Sequence, residues 1–140
     1  MDPVPIQEFL QGDRFARLCG LELLAVAPGF ARVRLAVTDA HLNGADIVHG
    51  GAIFALADFA FAAASNSYGT LALGINVSIS YLKAARGGVL LAEAREIARN
   101  PKLASYTVEV REESSALIAI FQGMVYRKPD PLKPLPQSGQ

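Results

Sequence analysis

Apolar residues recur along this chain in three rhythms, and each rhythm predicts an element. In residues 5–18, Ile6, Phe9, Leu10 and Phe15 fall near helical spacing, which predicts a short amphipathic helix ended by Gly20. Residues 21–27 read as a strand. After the Pro28-Gly29 turn signal, residues 31–37 alternate, with Val33, Leu35 and Val37 on one face and Arg32 and Arg34 on the other, so the two segments form a β-hairpin. A loop over residues 38–48 follows. Residues 50–67 are then apolar on every side, which predicts a long helix buried all round and closed by Gly69. Four long strands come last, at residues 70–82, 89–99, 104–113 and 116–127, separated by turn signals at Arg86-Gly87-Gly88, Asn100-Pro101 and Glu113-Ser114-Ser115.

Two strands, one helix without a polar face and four further strands make an α+β domain. An antiparallel sheet of about six strands must curl around the helix, because nothing else in the chain can cover it. The predicted domain spans residues 4–127, and the Pro-, Ser- and Gln-bearing stretch 128–140 is expected to be a disordered or extended tail.

Composition narrows the function classes. The 140 residues suit one domain, and 51% hydrophobic residues suffice for a core. Lys and Arg number 13 and Asp and Glu 13, so there is no basic excess to follow a nucleic-acid backbone, although two or three clustered cations could hold a small phosphorylated ligand. One cysteine, Cys19, excludes an internal disulfide and a Cys-based metal site; His41, Asp46 and His49 lack metal-ligand spacing, and neither a metal nor a cofactor is expected. Residues 1–5 lack the basic and apolar regions of a signal peptide. The apolar run 52–64 is too short to span a bilayer and is interrupted by Asp58, so the reading is a soluble cytoplasmic protein without a membrane partner.

The chemistry concentrates in the long helix and the loop before it. Asp58 is the only ionisable side chain between Gly50 and Asn66. A carboxylate in an apolar helix is costly unless it is paired or faces a cavity. His49-Gly50-Gly51 stands where the helix begins, with amides that lack intrahelical partners and sit at the positive end of the dipole. Glycines there allow close approach to the backbone, and such amides can stabilise an oxyanion. Gly50 and Asp58 are eight residues apart, about 12 Å along the axis. A base and an oxyanion hole serving one carbonyl must sit much closer. If both are catalytic, the carboxylate therefore comes from a second copy, and two antiparallel helices across a twofold axis give a dimer with two shared sites.

The stretch from His41 through Asn43, His49, Gly50 and Gly51 to Asp58 closely resembles the motif of PaaI-type hotdog thioesterases, which hydrolyse acyl-CoA. The six-residue step from Asn to His and the nine-residue step from His to Asp both match. The resemblance implies the hotdog fold, in which a sheet wraps a central helix. It implies Asp58 as general base or nucleophile, the Gly50 amide as main oxyanion donor, Asn43 positioning the thioester or the attacking water, and His49 holding the loop or the substrate carbonyl. Gly51 and Asn76 are expected near the substrate, and a tetramer of two dimers is implied as well. Relatives often carry Ser or Thr where this chain has Asn76, Pro where it has Ala84, and a Gly-Arg-rich turn where it has Asn100-Pro101-Lys102.

Lys83, Arg86, Arg99 and Lys102 gather at strand ends and turns, and Lys83 and Arg86 are the candidate ligands for CoA phosphates. Phe54, Phe59, Phe61 and Tyr68 could line the acyl pocket, which leaves aryl (phenylacetyl-like) and short or medium acyl groups open. Two other readings stand beside the thioesterase: a hotdog dehydratase or hydratase acting on acyl thioesters, and a non-catalytic acyl-CoA-binding module.

Overall fold

The computed structural model describes residues 5–133. The N-terminal segment is two short helices, α1 (Ile6–Gln11) and α2 (Arg14–Cys19), where the sequence predicts one. Asp13 breaks it: its side chain accepts the Ala16 amide at 2.9 Å and starts a new helix. Gly20, at φ 78°, ends α2 in a left-handed conformation that glycine adopts without strain.

The hairpin is β1 (Leu21–Ala27) and β2 (Phe30–Ala36), with Ala31, Val33 and Leu35 fully buried. Arg32 and Arg34 alternate outward. Arg34 meets Glu22 at 2.8 Å and Arg32 meets Glu93 at 3.5 Å; exposed pairs of this kind contribute about 0–1 kcal/mol each. The long helix α3 (Gly50–Ser65) buries ten of its sixteen residues, so the expectation of a helix covered nearly all round holds. It stops where Asn66, itself buried, turns its side chain on the backbone: Nδ2 donates to the Ala62 and Ala72 carbonyls and Oδ1 accepts the Ala72 amide.

Strands β3 (Thr70–Tyr81), β4 (Val89–Arg99), β5 (Leu103–Glu112) and β6 (Leu117–Pro131) complete a six-stranded antiparallel sheet in the order β1-β2-β4-β5-β6-β3. It wraps α3, which packs against all six strands. β4, β5 and β6 are linked by hairpins as predicted, but β3 is not paired with its sequence neighbour β4. It crosses over to pair with β6, which leaves β3 on the sheet edge. β6 runs past residue 127 to Pro131, because Thr70 and Ala72 at the start of β3 still offer it a partner, and Leu132 is buried behind it. The first residues of the predicted tail therefore belong to the domain; 134–140 lie outside the described residues, as do 1–4.

Strict alternation along residues 70–82 predicts Leu71, Leu73, Ile75, Val77, Ile79 and Tyr81 on one face and Ala72, Gly74, Asn76, Ser78 and Ser80 on the other, and this does not survive. A register shift between Gly74 and Asn76 reverses it part-way along the strand. Before the bulge, Gly74 faces inward onto the Phe61 ring. Beyond it, Val77 and Ile79 face inward, opposite Gly123 and Phe121, while Asn76 and Ser78 turn to the outer face beside Gln122 and Ser105. The edge strand also exposes Leu73 and Ile75 to solvent, and Val77, though turned inward, stays exposed where that face opens into a cleft.

Candidate active site

The loop before α3 is built by short-range capping. Thr38 donates its amide to His41 Nδ1 at 2.9 Å, so His41 Nε2 carries the proton and donates to the Cys19 carbonyl at 2.7 Å. His41 is thereby an anchor between loop and α2. Asn43 Oδ1 accepts the Ala45 amide at 2.8 Å and the Ile47 amide at 3.3 Å, an Asx turn that closes the loop on itself. Its Nδ2 donates to no described residue. Val48 is buried, and its amide is fixed to the Ala85 carbonyl at 2.7 Å, which ties the segment carrying Lys83 and Arg86 to the start of α3.

His49 caps α3. Its extended backbone (φ −60°, ψ 136°) turns Nδ1 onto the Gly51 amide at 2.7 Å, which leaves the proton of the neutral ring on Nε2. The His49 carbonyl takes the Ala52 and Ile53 amides. Of the first four helical amides only that of Gly50 finds no acceptor among the described residues, so the helix presents one bare N–H. Gly51, expected beside the substrate, spends its amide on His49. Tyr81, at the end of β3, donates its hydroxyl to the Gly50 carbonyl at 2.9 Å. A Cβ at Gly50 would stand 3.2 Å from the Tyr81 Cζ and hydroxyl oxygen, so a larger residue there would press the ring back by a few tenths of an ångström.

Asp58 stands two turns further on. It faces a cleft of about 470 Å³ between α3 and β3, lined also by Phe61, Ala62, Ser65, Leu73, Asn76 and Val77. No described residue pairs with its carboxylate. Its tip meets solvent but its flanks are apolar. This partial burial, and secondly the negative charge of Asp13 at the start of α2, raise its pKa above the ordinary carboxylate value. Asn76 borders the cleft from the bulged rim, where it also borders the outer face.

The remaining expectations separate. Lys83 and Arg86 are together, bordering one cavity with Glu112 and Glu113, and Lys83 is 3.7 Å from Glu112. Arg99 and Lys102 are not with them: they lie at the other end of β4, about 35 Å away at a strand rise of 3.3 Å per residue. There Arg99 stacks over the Tyr68 ring at 4.0 Å and meets Glu96 at 3.9 Å. Of the four aromatic residues proposed for an acyl pocket, only Phe61 reaches the Asp58 cleft; Phe54 packs edge-on against Phe121, Phe59 faces the side of α1 and α2, and Tyr68 donates to Glu96.

A carboxylate and a helix-start amide, each without a partner among the described residues, suit thioester hydrolysis; comparison with known proteins gives the family. The profile of the thioesterase superfamily matches residues 45–119, which hold Gly50 and Asp58. The chain belongs to the thioesterase superfamily. This thioesterase is 48% identical over 118 residues to a protein of Archaeoglobus fulgidus that carries an esterase name, covering 84% of this chain and 77% of that one. It is 32% identical to the acyl-coenzyme A thioesterase PaaI of Escherichia coli K12, covering 84% of each. The PaaI structure from Escherichia coli superposes with a TM-score of 0.85 at 31% identity, covering 88% of this chain and 90% of that one. A structure of a variant of the phenylacetic acid degradation protein PaaI from Thermus thermophilus gives 0.79 at 38%, covering 83% and 100%. The fold is that of the PaaI-like hotdog thioesterases, and the thioesterase is a thioester hydrolase. None of its described helices is long and apolar enough to cross a membrane.

One prediction separates the two ends of the Asn43 side chain. Asn43→Asp keeps an oxygen that closes the Asx turn, but replaces the Nδ2 donor by a second acceptor oxygen and adds a negative charge. If that donor orients the thioester or the water, the variant keeps its melting temperature while kcat falls on the order of tenfold to a hundredfold. Thermal melts beside steady-state kinetics test this; unchanged kcat would confine Asn43 to loop structure.

Proposed function

We propose that this thioesterase hydrolyses acyl-CoA in two sites shared between two copies of the chain, Asp58 of one acting at the Gly50 amide of the other. The observation that carries the reading is a helix offering one amide and one carboxylate without partners among the described residues, about 12 Å apart along its axis. That separation is too long for both to reach one carbonyl, and two antiparallel copies of the helix close it. The exposed apolar edge of β3 supports the pairing, since an uncovered edge of this kind invites a second strand. A homodimer is the minimal assembly; a tetramer of two dimers is compatible with it.

In the reaction the thioester carbonyl oxygen accepts the Gly50 N–H, which strengthens as charge develops on that oxygen. In one route Asp58 takes a proton from a water that attacks the carbonyl carbon. The C–S bond then breaks and the CoA thiolate recovers the proton. In the other Asp58 attacks directly, CoA leaves, and water opens the mixed anhydride. Single-turnover hydrolysis in ¹⁸O water distinguishes them, since label in Asp58 marks the second. The raised Asp58 pKa makes its carboxylate a stronger base than an ordinary one. His49 keeps Nε2–H free for the loop or the substrate carbonyl, and Asn76 borders the acyl group.

Arg86 is the stronger candidate for a CoA phosphate. It has no ion-pair partner among the described residues, while Lys83 already faces Glu112. The acyl group is aryl, phenylacetyl-like, or short to medium aliphatic, and the cleft beside Asp58 offers it Phe61, Leu73 and Val77. Balanced charge and a single cysteine are in keeping with the cytoplasm. A thiol-release assay over phenylacetyl-CoA, its ring-hydroxylated forms and straight-chain acyl-CoA esters tests the function. Free thiol is expected; an enoyl product in its place would favour a dehydratase, and binding without turnover an acyl-CoA-binding module.

A further inference from the structure

The start of α3 sets two glycines in a row where the bare amide must be aimed. Gly-Gly is the least constrained dipeptide the chain could use, so its direction has to come from elsewhere. The peptide unit joining Gly50 to Gly51 is gripped at both ends. Its carbonyl accepts the Tyr81 hydroxyl at 2.9 Å, and its N–H donates to His49 Nδ1 at 2.7 Å. The adjoining peptide unit carries the Gly50 N–H. Its carbonyl, on His49, already accepts the Ala52 and Ile53 amides. Hydrogen bonds thus hold the peptide units on either side of the Gly50 Cα, and with them the direction of the bare N–H.

Tyr81 has no other hydrogen-bond partner among the described residues and lies half-exposed, at 51%, so its packing alone does not explain the contact. It comes from the last residue of the edge strand β3, far from α3 in sequence. Its ring lies so close to Gly50 that a methyl group there would meet it at 3.2 Å.

We infer that Tyr81 is a positioning residue of the thioesterase: with His49 it clamps the Gly50–Gly51 peptide and so aims the Gly50 amide at the developing oxyanion. The inference rests on the oxyanion role proposed above for Gly50. An interaction that aims a donor at the transition state acts on kcat more than on substrate binding.

The test is Tyr81→Phe in the full-length protein, which removes the hydroxyl and keeps the ring. Expected are a kcat about fivefold lower, an unchanged KM, an unchanged melting temperature and the same oligomeric state. Hydrogen exchange at the Gly51 amide should become faster in the unliganded variant. A wild-type kcat, or a kcat loss matched by lost folded protein, would overturn the inference and leave the thioesterase reading intact. If the wild type released no thiol from any acyl-CoA, the exchange measurement would still decide: unchanged Gly51 exchange would mean that Tyr81 clamps nothing.

Discussion

Replacing Asp58 by Asn is expected to lower kcat by about a thousandfold or more, equivalent to ~4 kcal/mol of transition-state stabilisation, with little change in KM. The amide is nearly isosteric and can neither accept the water's proton nor attack the thioester. The same substitution is expected to raise the melting temperature at neutral pH. A carboxyl whose pKa is raised in the folded state costs stability once it ionises. The cost is absent below its ordinary value of 3.8 and complete above the folded-state value. The gain should therefore be present at pH 7 and vanish as the pH falls below about 3.8. Steady-state kinetics and melts from pH 3 to pH 8 check both halves. A variant with retained turnover would remove Asp58 from the chemistry; one that lost both turnover and stability would make Asp58 a structural residue.

Two inactive variants are expected to restore one another when mixed. Gly50→Pro deletes the bare N–H at a position where the helix tolerates proline, and His49 before it already has the extended backbone that proline demands. Gly50→Ala is its control, meeting the Tyr81 ring in the same way while keeping the N–H. If each site combines Asp58 of one chain with Gly50 of the other, a mixed dimer of Asp58→Asn and Gly50→Pro holds one intact site and one doubly defective site. Random reassortment of equal amounts makes half the dimers mixed, so activity returns to roughly a quarter of wild type from two near-inactive parents. Unfolding and refolding the mixture, followed by a thiol-release assay, measures this. No recovery, with mixed dimers present by native mass spectrometry, would place both groups in one chain and overturn the shared site.

Much of this was legible in the linear pattern because local rules dominate there. A helix apolar on every side can only be central, and alternating strands bounded by Gly and Asn-Pro turns can only be antiparallel. The step from His49 to Asp58 carried the candidate chemistry, and the rise of a helix sufficed to argue that a second chain is involved. The pattern failed where a contact from distant sequence decided. Asp13 divided one predicted helix because its side chain found the Ala16 amide. Tyr81 read as one more apolar residue on a strand face; only the fold brings its hydroxyl 2.9 Å from Gly50. The four cations read as one group, yet β4 holds Lys83 and Arg86 apart from Arg99 and Lys102.

The sequence by itself determined the α+β class, the central helix, the carboxylate within it and the glycine-led helix start, because each depends on residue type and near-neighbour spacing. The tertiary structure alone decided that β3 leaves β4 for β6 and becomes an exposed edge, that a bulge at Gly74 reverses its faces, and that His49 and Tyr81 hold the peptide beside the Gly50 amide. The physical reason is that strand pairing and side-chain capping are satisfied across long stretches of chain, where every buried hydrogen-bonding group must find a partner and local periodicity does not say which.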